Sequence, residues 1–196
     1  MFRIARLIAL ALLFVPPGLA AASTWKIDPA HSAAHFAVKH LVVSTVRGDM
    51  GPVSGTVVLD EADPTKSTVT ASVDATAINT RDAKRDEHLR GPDFLDTAKH
   101  PTVTFTSSKI EKVADGQYKV SGDLTLRGVT KPVVLTVEGS LTPVRDPFGN
   151  TKLGGSATTR IDRQDFGIAW SKALDAGGLV VGNTVDITID LELTKQ

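Results

Sequence analysis

From about Thr24 onward this chain reads as an all-β fold, with about eight antiparallel strands closing into a barrel. Three observations carry that expectation. Apolar and polar residues alternate with period 2 over most of the chain, the mark of strands with one buried face. Short turn signals separate the runs, which suggests a meander of neighbouring antiparallel strands. The apolar face also holds many small residues, and that decides between ways of closing the sheet. Of 196 residues, 21 are Val and 22 are Thr, so two β-formers set the composition. The length leaves room for one domain.

The last run is the clearest: Val185, Ile187, Ile189, Leu191 and Leu193 point one way, and Asp186, Thr188, Asp190 and Glu192 the other. The same pattern marks Ala34 to His40, Val69 to Ala75, Val103-Phe105, Tyr118 to Leu126, Val133 to Val137 and, more weakly, Gly155 to Ile161. A further strand fits Val53 to Leu59. Asp115-Gly116 predicts a tight hairpin, because such a turn needs positive φ. Gly128-Val129-Thr130-Lys131-Pro132 and Asp146-Pro147-Phe148-Gly149-Asn150 read as longer turns. One region breaks the alternation: a helical insert around residues 81–100. Thr80 is placed to cap a helix over Arg81 to Leu89, with Asp82 in its first turn, and Gly91-Pro92 stops it. A second short segment runs from Asp93 to His100, before Pro101. Asp82 and Asp86 share a helix face beside Arg85 and Arg90, which reads as an ion-paired, solvated surface.

Eight strands with one apolar face either stack as two sheets or close into a barrel. Ala34, Ala71, Ala75, Gly122, Gly139, Gly155 and Ala157 would leave voids in a sandwich, but would widen the interior of a barrel. Small lumen residues therefore favour a ligand cavity. The competing reading is that Phe36, Phe94, Phe105, Phe166 and Trp170 fill the space. A membrane-embedded barrel fits badly, since one Tyr and two Trp cannot build aromatic girdles.

At the N-terminus, Arg3 and Arg6 precede a nine-residue apolar run, Leu7 to Val15, and an Ala-rich end. That pattern reads as a secretory signal peptide over 1–22, cleaved after Ala22 or Ala20, followed by a barrel domain over 23–196. The run is under half of the ~20 residues a membrane span requires. Its removal takes the chain from zero net charge to −2, so the exported, periplasmic protein is nearly neutral and offers no basic footprint for nucleic acid. The absence of cysteine excludes disulfides, thiolate zinc sites and a catalytic thiol. No HExxH, GxSxG or phosphate-loop motif occurs, and the histidines (His31, His35, His40, His88, His100) show no ligand spacing. No catalytic constellation, cofactor site or metal site is expected. The arginines around the insert also suit an anionic head group, a use that geometry must decide.

Five ordered blocks resemble the YceI-like family of polyisoprenoid-binding proteins. They are Trp25-Lys26-Ile27-Asp28-Pro29-Ala30-His31-Ser32, continued by Phe36, Val38, His40, Leu41 and Val46-Arg47-Gly48; Thr80 with Arg85-Asp86-Glu87-His88-Leu89, Asp93-Phe94 and Pro101; Val120 through Thr130, with Gly122-Asp123-Leu124-Thr125; Arg163 with Asp165-Phe166-Gly167; and Val181 to Val185. The resemblance implies an eight-stranded, lipocalin-like antiparallel barrel closed near the insert. Its apolar pore would hold an isoprenoid chain, in a secreted protein without established enzyme activity. Met50 and Ala34 depart from the family pattern, and both change pore volume; His35 falls at an outward position.

On the alternating face, the expected pore lining is Phe36, Val38, Val73, Phe105, Val120, Leu124, Leu126, Leu135, Val137, Ile187 and Ile189. Polar contacts at the mouth are expected from His31, His40, Arg85 or His88. The ligand is then a polyisoprenoid or quinone-like lipid, held for transport, storage or sequestration. Two other classes stand beside this reading: a lipid-modifying enzyme using His and Asp residues at the mouth, and an accessory protein delivering a quinone-like lipid to a membrane redox partner. Monomer and homodimer both remain open.

Overall fold

The computed structural model describes residues 22–175 and 177–196. The signal peptide expected over 1–22 lies, but for Ala22, outside the described residues. Among the described residues, ten strands and one α-helix follow in order, with short 3-10 turns between them: β1 (Ser23–Ile27), β2 (Ala33–His40), β3 (Ser44–Asp49), β4 (Val53–Leu59), β5 (Thr68–Asp74), α1 (Ala83–Arg90), β6 (Thr102–Ala114), β7 (Gln117–Leu126), β8 (Val129–Arg145), β9 (Thr151–Asp162) and β10 (Val181–Lys195).

All pairings between these strands are antiparallel, and the sheet closes on itself because β1 pairs with both β4 and β10. β10 is long enough to pair with β1 at its C-terminal end and with β2 over Val181 to Asp190. β1 and β2 are thus two halves of one bent stave, and β3 and β4 are two halves of the next. Ten segments make an eight-stranded, lipocalin-like barrel. β1 and β3, absent from the sequence reading, are short pieces whose alternation is broken by the bends at residues 28–32 and 50–52.

The alternation places Trp25, Ile27, Val53, Phe105, Val120, Leu153, Ala157 and Ile161 in the buried interior. The outer face of β10 carries Asp186, Thr188, Asp190 and Glu192, a polar wall unsuited to lipid. Among the described residues no helix is long and apolar enough to cross a membrane.

Turn chemistry accounts for most links and corrects one. Gly116, at φ +68°, makes the expected Asp115-Gly116 hairpin between β6 and β7. The β7–β8 link is shorter than expected: Arg127 and Gly128 alone take positive φ, of 51° and 73°, and β8 resumes at Val129. Pro132 therefore lies within a strand, opposite Asp123. It is tolerated because β8 pairs with β9 only from Thr136 onward, so this stretch of β8 is an open edge. There the Thr159 hydroxyl donates to the free Val134 carbonyl at 2.9 Å.

The insert corrects three more expectations. Asp82, not Thr80, caps α1, accepting from the Arg85 amide at 3.0 Å. Asp86 is buried and not ion-paired on a solvated face: it accepts from the Thr80 amide at 2.7 Å and the Thr80 hydroxyl at 2.5 Å. Thr80 serves the tertiary fold because a buried carboxylate must have its lone pairs met. Finally, residues 93–100 form consecutive turns, not a second helix.

Candidate ligand-binding cavity

The two ends of the barrel differ. At one end lie the β2–β3 turn, the insert, the Arg127-Gly128 turn and residues 163–180. There Ile78, Phe94, Leu95, Phe166 and Ile168 are buried in one cluster, with Phe36 and Trp170 packed on it. Trp170, Phe94 and the His88 ring meet with centroids 4.9–5.3 Å apart. Aromatic residues therefore plug this end, as the filled-core reading expected, but leave the lumen below them open.

That lumen is a cavity with about 350 Å3 in which the centre of a water molecule fits. Its surface is almost wholly carbon. All eleven residues expected on the alternating face line it: Phe36 and Val38 from β2, Val73 from β5, Phe105 from β6, Val120, Leu124 and Leu126 from β7, Leu135 and Val137 from β8, and Ile187 and Ile189 from β10. Sequence reasoning missed a second set. Ile27, Val53, Val57 and Leu59 come from β1 and β4, where the alternating runs are short; Leu89 comes from α1, and Phe94, Leu95 and Ile168 from irregular chain, where no strand periodicity exists to read. Leu141, an inward residue of β8, is 41% exposed, and the cavity reaches solvent at this end beside Ser140.

The small residues act in two ways. Ala34, Ala71, Gly139, Gly155 and Ala157 line and widen the lumen, as does the slender Met50. Gly122 does not: a Cβ there would sit 2.5 Å from the Phe105 ring, so this glycine seats the aromatic. Ala75 packs beneath the insert, away from the cavity.

Of the four polar residues expected at the mouth, His40, Arg85 and His88 lie at the plugged end, while His31 stands on the outer wall at the β1–β2 bend; none lines the cavity. Arg85 is turned onto Thr80, donating to its hydroxyl at 2.6 Å and its carbonyl at 2.7 Å. His88 bonds Asp93 at 2.9 Å. These side chains brace the insert, so His88 and Asp86 are not aimed at a lumen-bound molecule as a catalytic reading would require. Arg85 is likewise not turned toward a head group.

His31 belongs to a trio with Asp28 and Glu192 whose ligand atoms lie close enough to hold a metal ion. Lys152 Nζ stands 3.0 Å from Asp28 and 2.8 Å from Glu192, so an ammonium already supplies the positive charge. Hydrogen bonds from His31 and Lys152 pull the Asp28 carboxyl down to about 2, and the two carboxylates raise Lys152 above the ordinary lysine value. The cluster ties the β1–β2 bend to β9 and β10.

The arginine of the lumen wall, Arg163, is held from behind. Arg163 is 3% exposed, and it donates to the carbonyls of Ile168, Val181 and Gly182 and to the Asn183 side chain. Burial pushes this guanidinium down from its usual value. Its four acceptors tie Ile168 to Val181, Gly182 and Asn183 at the plugged end.

A meander barrel with a carbon-lined lumen, shut at one end, defines the lipocalin-like class of proteins able to house an apolar ligand. More narrowly, the chain belongs to the YceI-like family, whose domain model matches residues 25–193. It is 37% identical to Protein YceI of Escherichia coli O157:H7 over 188 residues, 95% of this chain and 94% of that one. A UPF0312 protein of Vibrio cholerae is also 37% identical, over 82% of this chain and 86% of its own. Among solved structures, the YCEI protein of Campylobacter jejuni superposes with a TM-score of 0.68 at 30% identity, covering 81% of this chain and 90% of that one. A polyisoprenoid binding domain from Saccharophagus degradans superposes at 0.62 with 18% identity, over 91% and 100%, which shows the shared fold.

Proposed function

We propose that this chain is an exported periplasmic binding protein that holds a long isoprenoid or similar lipid chain in the barrel lumen. The observation that carries the reading is the cavity: closed at the insert end, open at the other, and lined by carbon from Val181 to Leu193 along β10. Twelve residue steps along a strand tilted by about 40° give a lumen of roughly 30 Å, which suits an extended chain better than a compact ring system. Burial of such a chain is driven by roughly 25 cal/mol for each Å2 removed from water. No polar group inside demands a matching polar partner, so recognition rests on shape and length. The Saccharophagus degradans domain, described as polyisoprenoid binding, shares this fold and supports the choice of ligand class. The basic, apolar and Ala-rich leader supports export. The eleven lining residues named from the alternation are the proposed contacts.

Native mass spectrometry of the protein as processed in cells, followed by organic extraction, tests this. A bound apolar species released by solvent is expected. A protein that arrives empty, and takes up no long-chain isoprenoid alcohol offered to it, would overturn the reading.

A further inference from the structure

Apolar side chains stand in water at both ends of the barrel: Val42 and Val43 on the β2–β3 turn at the plugged end, and a second group at the open end, where the lumen meets solvent. Phe148 is 89% exposed, Val144 67%, Val113 59% and Leu141 41%. They come from two hairpins that end at this mouth, β6–β7 and β8–β9. Phe148 does not dangle. Asp146 accepts from the Phe148 amide at 2.9 Å and the Asn150 amide at 2.8 Å, and its second oxygen takes the Asn150 side-chain amide at 2.8 Å. The Asp146 amide in turn donates to the Asn150 carbonyl at 2.9 Å. A turn braced in this way holds an aromatic ring outward. Leu141 belongs both to the cavity lining and to this rim, so the lumen wall and the exposed rim share a residue.

We propose that this rim seats the mouth of the barrel on a phospholipid bilayer, so that an apolar chain passes between membrane and lumen without crossing water. The inference rests on the lumen reading above. Charge selects the partner. Most cations around the mouth are paired locally, with Lys112 on Asp115 at 3.3 Å, Lys109 on Glu111 at 2.8 Å, Lys66 on Asp63 at 3.3 Å and Lys195 on Glu61 at 2.9 Å, while Arg145 stands exposed beside the Asp146 turn. A rim whose charges are mostly paired complements a zwitterionic surface, and offers little to an acidic or basic protein face. Aromatic and aliphatic tips enter the headgroup boundary by apolar burial, which salt does not screen.

The test is flotation of the processed protein with phosphatidylcholine vesicles, at low and high salt. The wild type is expected to float in both. Phe148→Ser is expected to weaken partition roughly tenfold, and Phe148→Trp to retain it. Phe148 lies outside the cavity, so a second measurement separates docking from holding: uptake of a long-chain fluorophore from vesicles and from an ethanol dispersion. Phe148→Ser should fill from ethanol as the wild type does, but more slowly from vesicles. A wild type that stays off vesicles, or a Phe148→Ser variant that floats as well as wild type, overturns the proposal. So does a change of oligomeric state in Phe148→Ser without vesicle binding, which would make the rim a contact between copies of the chain. Failure to fill from either source sinks the lumen reading, while flotation still judges the docking surface.

Discussion

Leu135→Asn puts the sharpest demand on the lumen reading. Leu135 faces inward from β8 opposite Val120, packs with Phe105 and Tyr118, and is only half buried because its tip looks into the cavity. Asn matches Leu in size, so the change trades carbon for an amide at nearly constant shape. In the empty barrel the amide keeps water on its lumen side, and the cost to folding should stay below about 2 kcal/mol. When an apolar chain fills the lumen, that water must leave and nothing replaces it. Stripping an amide without a partner costs about 1–3 kcal/mol, and the lost apolar contact adds about 1 more. Affinity should therefore fall by roughly 30- to 1,000-fold, at 1.4 kcal/mol per decade. Displacement of a long-chain fluorophore measures it, with urea unfolding as the check on the fold and Leu135→Met as the shape control. An affinity within threefold of wild type, in a protein that unfolds normally, would refute the claim that the ligand lies against this wall.

Other expectations follow from the polar and glycine positions. Arg163→Met leaves three backbone carbonyls and the Asn183 side chain without their donor, so it should cost about 3–5 kcal/mol in urea unfolding and speed hydrogen exchange over residues 167–183. Asp28 titrates near 2 when folded and near 3.8 when unfolded, so it stabilises above about pH 4, and that contribution drains away as pH falls toward 2. Lys152→Met leaves Asp28 and Glu192 facing one another; it should lower stability at neutral pH and flatten the acid limb of a stability–pH curve measured by urea unfolding. Gly122→Val drives a side chain into the Phe105 ring and the Thr106 carbonyl, at 2.5 and 2.4 Å, and should cost about 1–3 kcal/mol in thermal or urea unfolding.

Strand residues were legible because their signal is local. Ile187, Ile189, Val120 and Leu124 declare a face by alternating with polar neighbours, and a register error of one would have turned each outward. The residues that close the barrel carry no such signal. Leu89, Phe94 and Ile168 lie on a short helix or on irregular chain, where sequence spacing says nothing about which side meets the lumen. Polar residues misled for a related reason. Thr80 and Asp82 both have the chemistry of a helix cap, and only the fold decides that Thr80 is drawn instead to the buried Asp86. His31, His40, Arg85 and His88 have the chemistry of a mouth, but partners from distant parts of the chain, or from the insert itself, claim three of them.

The sequence by itself determined that this chain is β-rich and has no disulfides, which strand face is apolar, and, through five ordered motifs, the family to which it belongs. These follow from period-2 alternation and residue identity, which act over a few neighbouring positions. Tertiary structure alone decided which end of the barrel is shut, that aromatic residues plug that end while small ones keep the rest open, and that two hairpins bring Val113, Val144 and Phe148 together at the other. Those outcomes depend on contacts between residues far apart in the chain, such as Arg163 with Gly182 or Phe105 over Gly122, and they exist only once the eight staves have closed.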